Sequence, residues 1–223
     1  MIDSRLLQLA DSAFPSGAFS HSFGLETAIL ERGVTDAAAV RGWIADYLEC
    51  SLATLDARAL VLGMRGTACV DELDRVLAVS VFAADVRAAN RRLARATLEA
   101  YLAMGLRDAG IAAYRDAILA GRAQGAHAVA CMLGYRAIGA AVEDAACAYL
   151  SAAAAALAAV AARAVPLGQR DIGALLWSLR EPLEDVARSA CAAESLDDLS
   201  SSAWQCEIDA MRHAGLDARL FAS

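Results

Sequence analysis

The chain has 223 residues, of which 58% are hydrophobic and 6% aromatic, and its formal net charge is -7. All 20 basic residues are arginines and are outnumbered by 27 acidic residues, which argues against a protein that binds nucleic acid. Six cysteines are scattered without a CxxC pair and the first residues lack the pattern of a secretory signal, so we expect a cytoplasmic protein with reduced thiols.

The first predicted helix follows an N-terminal loop that is rich in phenylalanine. Pro15 and Gly17 predict a turn, and the helix is expected from Leu25 to Glu31 with Ser20 or Ser22 as its cap. Three of the five phenylalanines of the chain crowd into this segment: Phe14, Phe19 and Phe23. A capping turn alone does not explain these aromatic side chains.

An amphipathic helix is predicted after Gly33, with Thr35 as its cap. Apolar residues then recur at the spacing of one helix face: Val40, Trp43, Ile44, Tyr47, Leu48, Leu52, Leu55 and Ala59. Residues 71–110 are predicted to form one or two helices with a break near Asp85. Residues 121–125 predict a short loop before an apolar helix that contains residues 131–138.

Alanine dominates the next helix, which is predicted from about Val142 to Val165 and is ended by Pro166 and Gly168. Residues 145–162 carry no charge and are long enough to span a membrane. Few of them are strongly apolar, so we favour a buried helix and keep a membrane span as the alternative.

A further helix is predicted from about Gln169 to Glu181, where Pro182 ends it. Ser195 and Asp198 have the spacing of a capping box ahead of a last short helix at about residues 207–213. Sustained strand alternation is missing from the pattern. We therefore predict an all-α protein, a single compact multi-helix bundle that forms one domain over residues 1–223.

The residues that most often carry chemistry do not form recognisable motifs. His21, His127 and His213 lack a second ligand three or four residues away, although a composite site formed by folding or across a dimer stays open. Ser20 and Ser22 flank His21 without the strand, turn and helix of a nucleophile elbow, and a P-loop motif is missing. We predict neither catalytic residues, nor a cofactor, nor an intrinsic metal site.

Arginines form a basic stripe against this acidic background. Arg87, Arg91 and Arg95 share one face of a predicted helix, and Arg92 lies beside them. The stripe is either a solvated face with salt bridges or a docking surface for an acidic or phosphate-carrying partner.

The last segment of the chain, at about residues 212–223, is unusually apolar. Leu216, Leu220 and Phe221 alternate there with Arg212, His213 and Arg219. Such a tail either packs on its own domain or becomes ordered on a partner, and the pattern does not decide between these alternatives.

Two segments resemble signatures of the urease accessory protein family UreF. Residues 6–28, LLQLADSAFPSGAFSHSFGLETA, are similar to its N-terminal signature, and residues 209–223, DAMRHAGLDARLFAS, to its closing one. The sequence AVPLGQ at residues 164–169 and the pair Arg87 and Asn90 also fit. The resemblance therefore spans nearly the whole chain.

The resemblance implies an all-helical homodimer that is not itself an enzyme. Members bridge the accessory protein UreD, called UreH in some systems, and the GTPase UreG, in an assembly that delivers nickel to apo-urease. It implies that the tail docks on UreD, and we expect the tail to be loosely held in the free protein and to become ordered on docking, with Arg219 fixing the geometry. The residues expected to bind partners are Phe19, His21, Arg87, Arg91, His213, Arg219, Leu220 and Phe221.

The chain departs from the family pattern at a few positions. Ala214 stands where the family commonly has a glutamate, Ile172 and Gly173 replace a Gly-Gln pair, and Ala94 replaces a helix glycine. The missing acid at position 214 bears on the strength of the tail contacts and not on the fold. Two other functions stay open: a nickel-binding metallochaperone in its own right, and a generic helical adaptor.

Overall fold

A computed structural model describes residues 3–223, and within this range the regular structure is helical, without strands. The α-helices are α1 (Ser4–Leu9), α2 (Leu25–Arg32), α3 (Ala37–Tyr47), α4 (Arg58–Arg65), α5 (Val70–Ser80), α6 (Ala84–Ala103), α7 (Ala109–Leu119), α8 (His127–Ala137), α9 (Val142–Ala164), α10 (Gln169–Ala190) and α11 (Trp204–Arg212). Short 3₁₀ turns occupy Ala18–Ser20, Leu196–Asp198 and His213–Gly215. The all-α prediction is confirmed.

The alanine-rich helix α9 lies at the centre of the bundle. It packs against α10, α4, α2 and α3, and its larger apolar side chains Leu150, Leu157 and Val160 are buried. Because alanine side chains are short, these neighbouring helices can approach closely. By length and composition alone α9 could cross a membrane, but half of its most apolar window is buried inside the fold. This burial favours a core helix.

The stripe predicted after Gly33 forms the inner face of α3, of a π-helix at Leu48–Ala57 and of α4, and all eight of its residues are buried. The sequence pattern does not reveal the π-helix. Two of its carbonyl groups are paired outside the helix, since Cys50 accepts from the Ser202 amide (2.8 Å) and Thr54 from the Ser200 amide (3.1 Å). Such wide turns are rare and often accompany functional sites.

Two predicted helix caps were wrong. Asp36, not Thr35, caps α3 by accepting from the Ala39 amide (2.8 Å). Helix α2 begins after Gly24, whose φ of 98° suits glycine, and neither Ser20 nor Ser22 caps it. A Cβ at Gly24 would lie 2.7 Å from the Ala210 nitrogen, so this glycine also allows α2 to approach α11.

The predicted end of α10 at Pro182 was also wrong, because the helix continues to Ala190. Proline cannot donate to the carbonyl four residues earlier, which here belongs to Ser178. The Arg41 guanidinium donates to that carbonyl (3.4 Å) and to the Ser178 hydroxyl (2.9 Å). A side chain from α3 thus satisfies the group that Pro182 leaves unpaired.

The remaining boundaries are close to those predicted. The predicted break near Asp85 lies at residues 81–83, between α5 and α6. The sequence pattern does not show that α7 is a helix of its own, separate from α6. Ser195 and Asp198 do form a capping box, but on a single 3₁₀ turn. The last helix begins earlier than expected, at Trp204.

Candidate partner-binding surface

The tail lies on this chain's own N-terminal segment. The Ala222 amide donates to the Ser20 carbonyl (2.9 Å), and the Ser22 amide donates to the Ser223 main-chain oxygen (2.5 Å). The Ser22 hydroxyl donates to the same oxygen (2.6 Å). Of the two alternatives for the tail, the structure shows the packed one, and the expected loosely held tail is not observed.

A buried carboxylate holds the tail at its middle. Glu26, in the first turn of α2, is 2% exposed and lies 2.8 Å from Nε2 of His213. It also accepts hydrogen bonds from the amides of Leu220 (2.6 Å) and Phe221 (3.3 Å). Three groups of the tail therefore converge on one carboxylate, and charge-assisted bonds of this kind are stronger than neutral ones.

The tail also meets the start of α6. The Asp85 carboxylate lies 3.9 Å from Nδ1 of His213 and 3.9 Å from the guanidinium of Arg219. His213 is fully buried, whereas the Arg219 side chain is 46% exposed. Arg219 is thus placed to contact both its own fold and another molecule.

Arg163, in the last turn of α9, contacts both the phenylalanine-rich loop and the tail. Its guanidinium lies over the ring of Phe221 at 4.5 Å and near the ring of Phe19 at 5.8 Å, and it donates to the Phe19 carbonyl. The sequence pattern does not single out Arg163, because a single basic residue at a helix end is common.

His21 is buried and pairs with the tail. Its Nδ1 lies 2.9 Å from the Ser223 hydroxyl. Burial lowers the pKa of His21 to about 4, and the nearby Arg92 guanidinium acts in the same direction. At neutral pH His21 is therefore an uncharged hydrogen-bonding group. It lies in the contact between the phenylalanine-rich loop, residues 14–23, and the tail, and we call this contact the seam between loop and tail.

The predicted partner-binding residues of the loop and tail fall into two groups. Phe19 and Leu220 are exposed, at 55% and 73%, and can touch a partner directly. His21, His213 and Phe221 are buried, so in this conformation they position the exposed residues and do not offer a contact.

The arginine stripe is held mostly by the backbone. Arg87 donates to the carbonyls of Val81 (2.7 Å) and Phe82 (2.8 Å), and Arg91 donates to the carbonyl of Ala123 (3.2 Å). Arg95, by contrast, forms a salt bridge with Glu99. Arg87 lies two residues after Asp85 in α6, so the two side chains leave the helix on different faces.

An internal cavity of about 110 Å³ opens behind the phenylalanine-rich loop. Asp56 of the π-helix lines it beside His127 and Cys131 of α8, and Tyr149 donates to Asp56 (3.1 Å). Burial lowers the pKa of His127 to about 4 and raises that of Cys131 to about 12. Among residues 3–223, no group of three or more His, Cys, Asp or Glu side chains is placed to hold a metal ion.

Asp56 gives the cavity a measurable pH dependence. Burial raises the pKa of Asp56 to about 7, against about 3.9 in an unfolded chain. The folded state binds the extra proton, so Asp56 destabilises the fold above pH 7, and this penalty shrinks as the pH falls toward 4. We expect Asp56→Asn to raise the free energy of unfolding at pH 8 by about 2 kcal/mol, roughly half the full linkage value because the carboxyl faces a cavity.

Urea unfolding at several pH values between 4 and 8 checks this expectation. The gain from Asp56→Asn should shrink steadily below pH 7, because asparagine keeps an acceptor for Tyr149 and changes only the charge. The exposed Asp46→Asn serves as the control and should show no comparable trend. A gain of equal size at every pH would contradict the role assigned to the charge.

Comparison with known proteins decides the family. The family model for UreF matches residues 34–180. The chain is 34% identical to the urease accessory protein UreF of Bacillus sp. (strain TB-90), over 98% of this chain and 97% of the relative. It is 35% identical to UreF of Arthrobacter sp. (strain FB24), over 98% and 96%. The chain belongs to the UreF family.

Membership in the UreF family confirms the resemblance seen in the two terminal signatures. The similarity to UreF of Cereibacter sphaeroides (strain ATCC 17025 / ATH 2.4.3) is of the same extent, at 36% identity over 97% of this chain and 96% of the relative. UreF relatives carry the name of accessory proteins, so the chain is a helper protein and not an enzyme.

Proposed function

We propose that this protein acts in urease maturation as the bridge between UreD, or UreH, and the GTPase UreG, in the cytoplasm. Its family membership carries the proposal, since relatives matched over nearly their full length are named urease accessory proteins. In this proposal nickel is the cargo of the assembly, and the chain contributes binding surfaces.

The tail surface, defined as Phe19, Arg219 and Leu220 with Arg163 behind them, is the proposed site for UreD. Two large apolar side chains exposed beside two guanidinium groups form a mixed surface of the kind found at protein interfaces. The buried residues His21, His213 and Phe221 hold the tail surface in shape. Arg87 and Arg91 lie on the arginine stripe of α6, which is the proposed contact for UreG.

The proposed homodimer has a candidate face of its own. Trp204, Ile208 and Met211 are exposed at helical spacing along α11, and Phe82 stacks on Trp204 with ring centroids 6.4 Å apart. Burying such a stripe against a second copy would remove it from water. Light scattering of the isolated chain at micromolar concentration measures whether the chain is a monomer or a dimer.

Reconstitution of apo-urease with UreD, UreG and nickel, with and without this chain, tests the proposed function. We expect activation to depend on the chain and UreG to co-purify with UreD only when the chain is present. Activation of equal extent without it would contradict the bridging role. A nickel titration of the isolated chain tests the metallochaperone alternative, which predicts one tight site per chain.

Arg219→Ala is expected to weaken UreD binding by about 2 kcal/mol or more while leaving helicity unchanged, because a guanidinium at an interface can donate two bonds at once. Arg219→Lys should rescue poorly, since lysine lacks the planar fork. Arg212→Ala is the matched control, because Arg212 is also exposed and pairs with Glu31 (2.8 Å). Titration of UreD with each variant gives the comparison, and equal loss in both alanine variants would exclude a specific role for Arg219.

A further inference from the structure

A second concavity, of about 220 Å³, lies between α5, the first half of α6 and the loop that precedes α8. We call it the arginine groove. Five polar side chains line it: Asp56, Arg87, Asn90, Arg91 and Gln124. All of them except Asp56 carry N–H donors, so the groove brings several donors toward one space.

Both guanidinium groups are oriented by neutral partners. Arg87 is fixed by the carbonyls of Val81 and Phe82, and Arg91 by the carbonyl of Ala123. A carbonyl orients a guanidinium without neutralising its charge, and each guanidinium has further N–H groups to donate. Two positive charges one helical turn apart are thus held in place within a chain whose net charge is -7.

The opposite wall of the groove is rigid. The buried Asp74 carboxylate accepts from the amides of Gln124 (2.6 Å), Gly125 (2.9 Å) and Ala126 (3.0 Å). Gly125 has a φ of 89°, and a Cβ there would lie 3.0 Å from Cα of Arg91, so the loop is pressed against α6. Because the wall is fixed before any ligand arrives, binding needs little ordering of the protein.

The nearby acids are already engaged by other groups. Glu207 accepts from the amides of Phe82 (3.2 Å) and Ala83 (3.4 Å) beside Arg87. Asp56 reaches the groove from the cavity side, where Tyr149 donates to it. Burial raises the pKa of Asp56 to about 7, so near neutral pH a large share of this carboxyl is protonated and uncharged.

We propose that the arginine groove is a binding site for a phosphate group, held between the guanidinium groups of Arg87 and Arg91 with Asn90 and Gln124 as additional donors. Paired arginines match the oxygen geometry of phosphate, and the groove has room for the ion together with water. The proposal does not depend on the bridging role, because it concerns the isolated chain. The group can belong to free phosphate or to a phosphate monoester.

Calorimetric titration of the full chain with inorganic phosphate, at constant ionic strength and pH 7, tests the site. A parallel titration with phenyl phosphate distinguishes the free ion from a monoester. We expect saturable binding of one phosphate per chain, weakened at least tenfold by Arg91→Gln and by Arg87→Gln. The control is Arg95→Gln, which removes an arginine paired with Glu99 and should leave binding unchanged.

A second measurement separates binding from loss of structure. A bound anion raises the pKa of a neighbouring carboxyl, so phosphate binding at pH 7 should take up protons, which buffers of different ionisation enthalpy reveal. Asp56→Asn should reduce this uptake and, because the two effects are linked, should bind phosphate at pH 7 as tightly as the unmodified chain or more tightly. Gln124→Ala leaves both arginines in place and should weaken binding less than Arg91→Gln does. Absence of saturation in the unmodified chain, or an equal loss in Arg95→Gln, overturns the proposal.

Discussion

Gly134→Ala is expected to destabilise the protein by about 3 kcal/mol, at the upper end of the range for overpacking a core. Gly134 lies in α8 where that helix crosses α6. A Cβ at this position would lie 2.3 Å from Cε2 and 2.4 Å from Cζ of Tyr101. Tyr101 is 1% exposed, so its ring has no free space into which to retreat. The two helices would have to separate or the ring would have to leave its packed position.

Gly173→Ala is the matched control for this substitution. Gly173 also lies inside a helix, α10, but is exposed, and a Cβ there would meet nothing within 4 Å. Alanine is the better helix former by about 0.5–1 kcal/mol, so this variant should be as stable as the unmodified protein or slightly more stable. Urea unfolding of both variants checks the pair. Equal changes in the free energy of unfolding would show that close helix contact is not the reason for Gly134.

Glu26→Ala is expected to lower the free energy of unfolding by about 3 kcal/mol or more, because removing one member of a buried charged network leaves the others unpaired. The groups left without their acceptor are the His213 imidazole and the amides of Leu220 and Phe221. We expect the tail to detach from α2 well before the rest of the fold is lost. Hydrogen exchange at the two amides, together with urea unfolding, measures both effects.

The control for Glu26 is a second glutamate of the same helix. Glu31 pairs with Arg212 at the surface, where both side chains are partly exposed. Such pairs contribute about 0.2–1 kcal/mol, so Glu31→Ala should change the free energy of unfolding only slightly. If the amides of Leu220 and Phe221 keep their protection in Glu26→Ala, Glu26 is not the anchor of the tail.

The helical part of the fold could be predicted because it depends on local patterns. The apolar stripe from Val40 to Ala59 repeats at the helical period, and burial of one face follows from that repeat. The alanine-rich helix was placed within one residue of its observed end at Ala164, because Pro166 and Gly168 interrupt it. The same local reasoning does not reveal a π-helix, whose residues have ordinary helix-forming character.

Several of the errors and omissions share one physical cause, namely partners that are distant in the sequence. Ser22 looked like a cap because serine commonly caps helices, but it binds Ser223. Pro182 looked like a helix end, but Arg41 from another helix satisfies the carbonyl it leaves unpaired. For the candidate site, the two signatures point to the residues of the loop and tail that are expected to bind partners. The convergence of the tail on Glu26 could be found only in three dimensions.

The seam between loop and tail also fixes an order of events during protein synthesis. His21 and Ser223, which pair across it, are separated by 202 positions. Residues 18–26 leave the ribosome early, and Glu26 has neither His213 nor the tail amides to bind until the tail has emerged. Closing so long a loop costs conformational entropy, and only the contacts of the assembled bundle offset that cost. The segment that carries Phe19 therefore lacks these contacts until residues 213–223 have been synthesised, and it is fixed only after the bundle has formed.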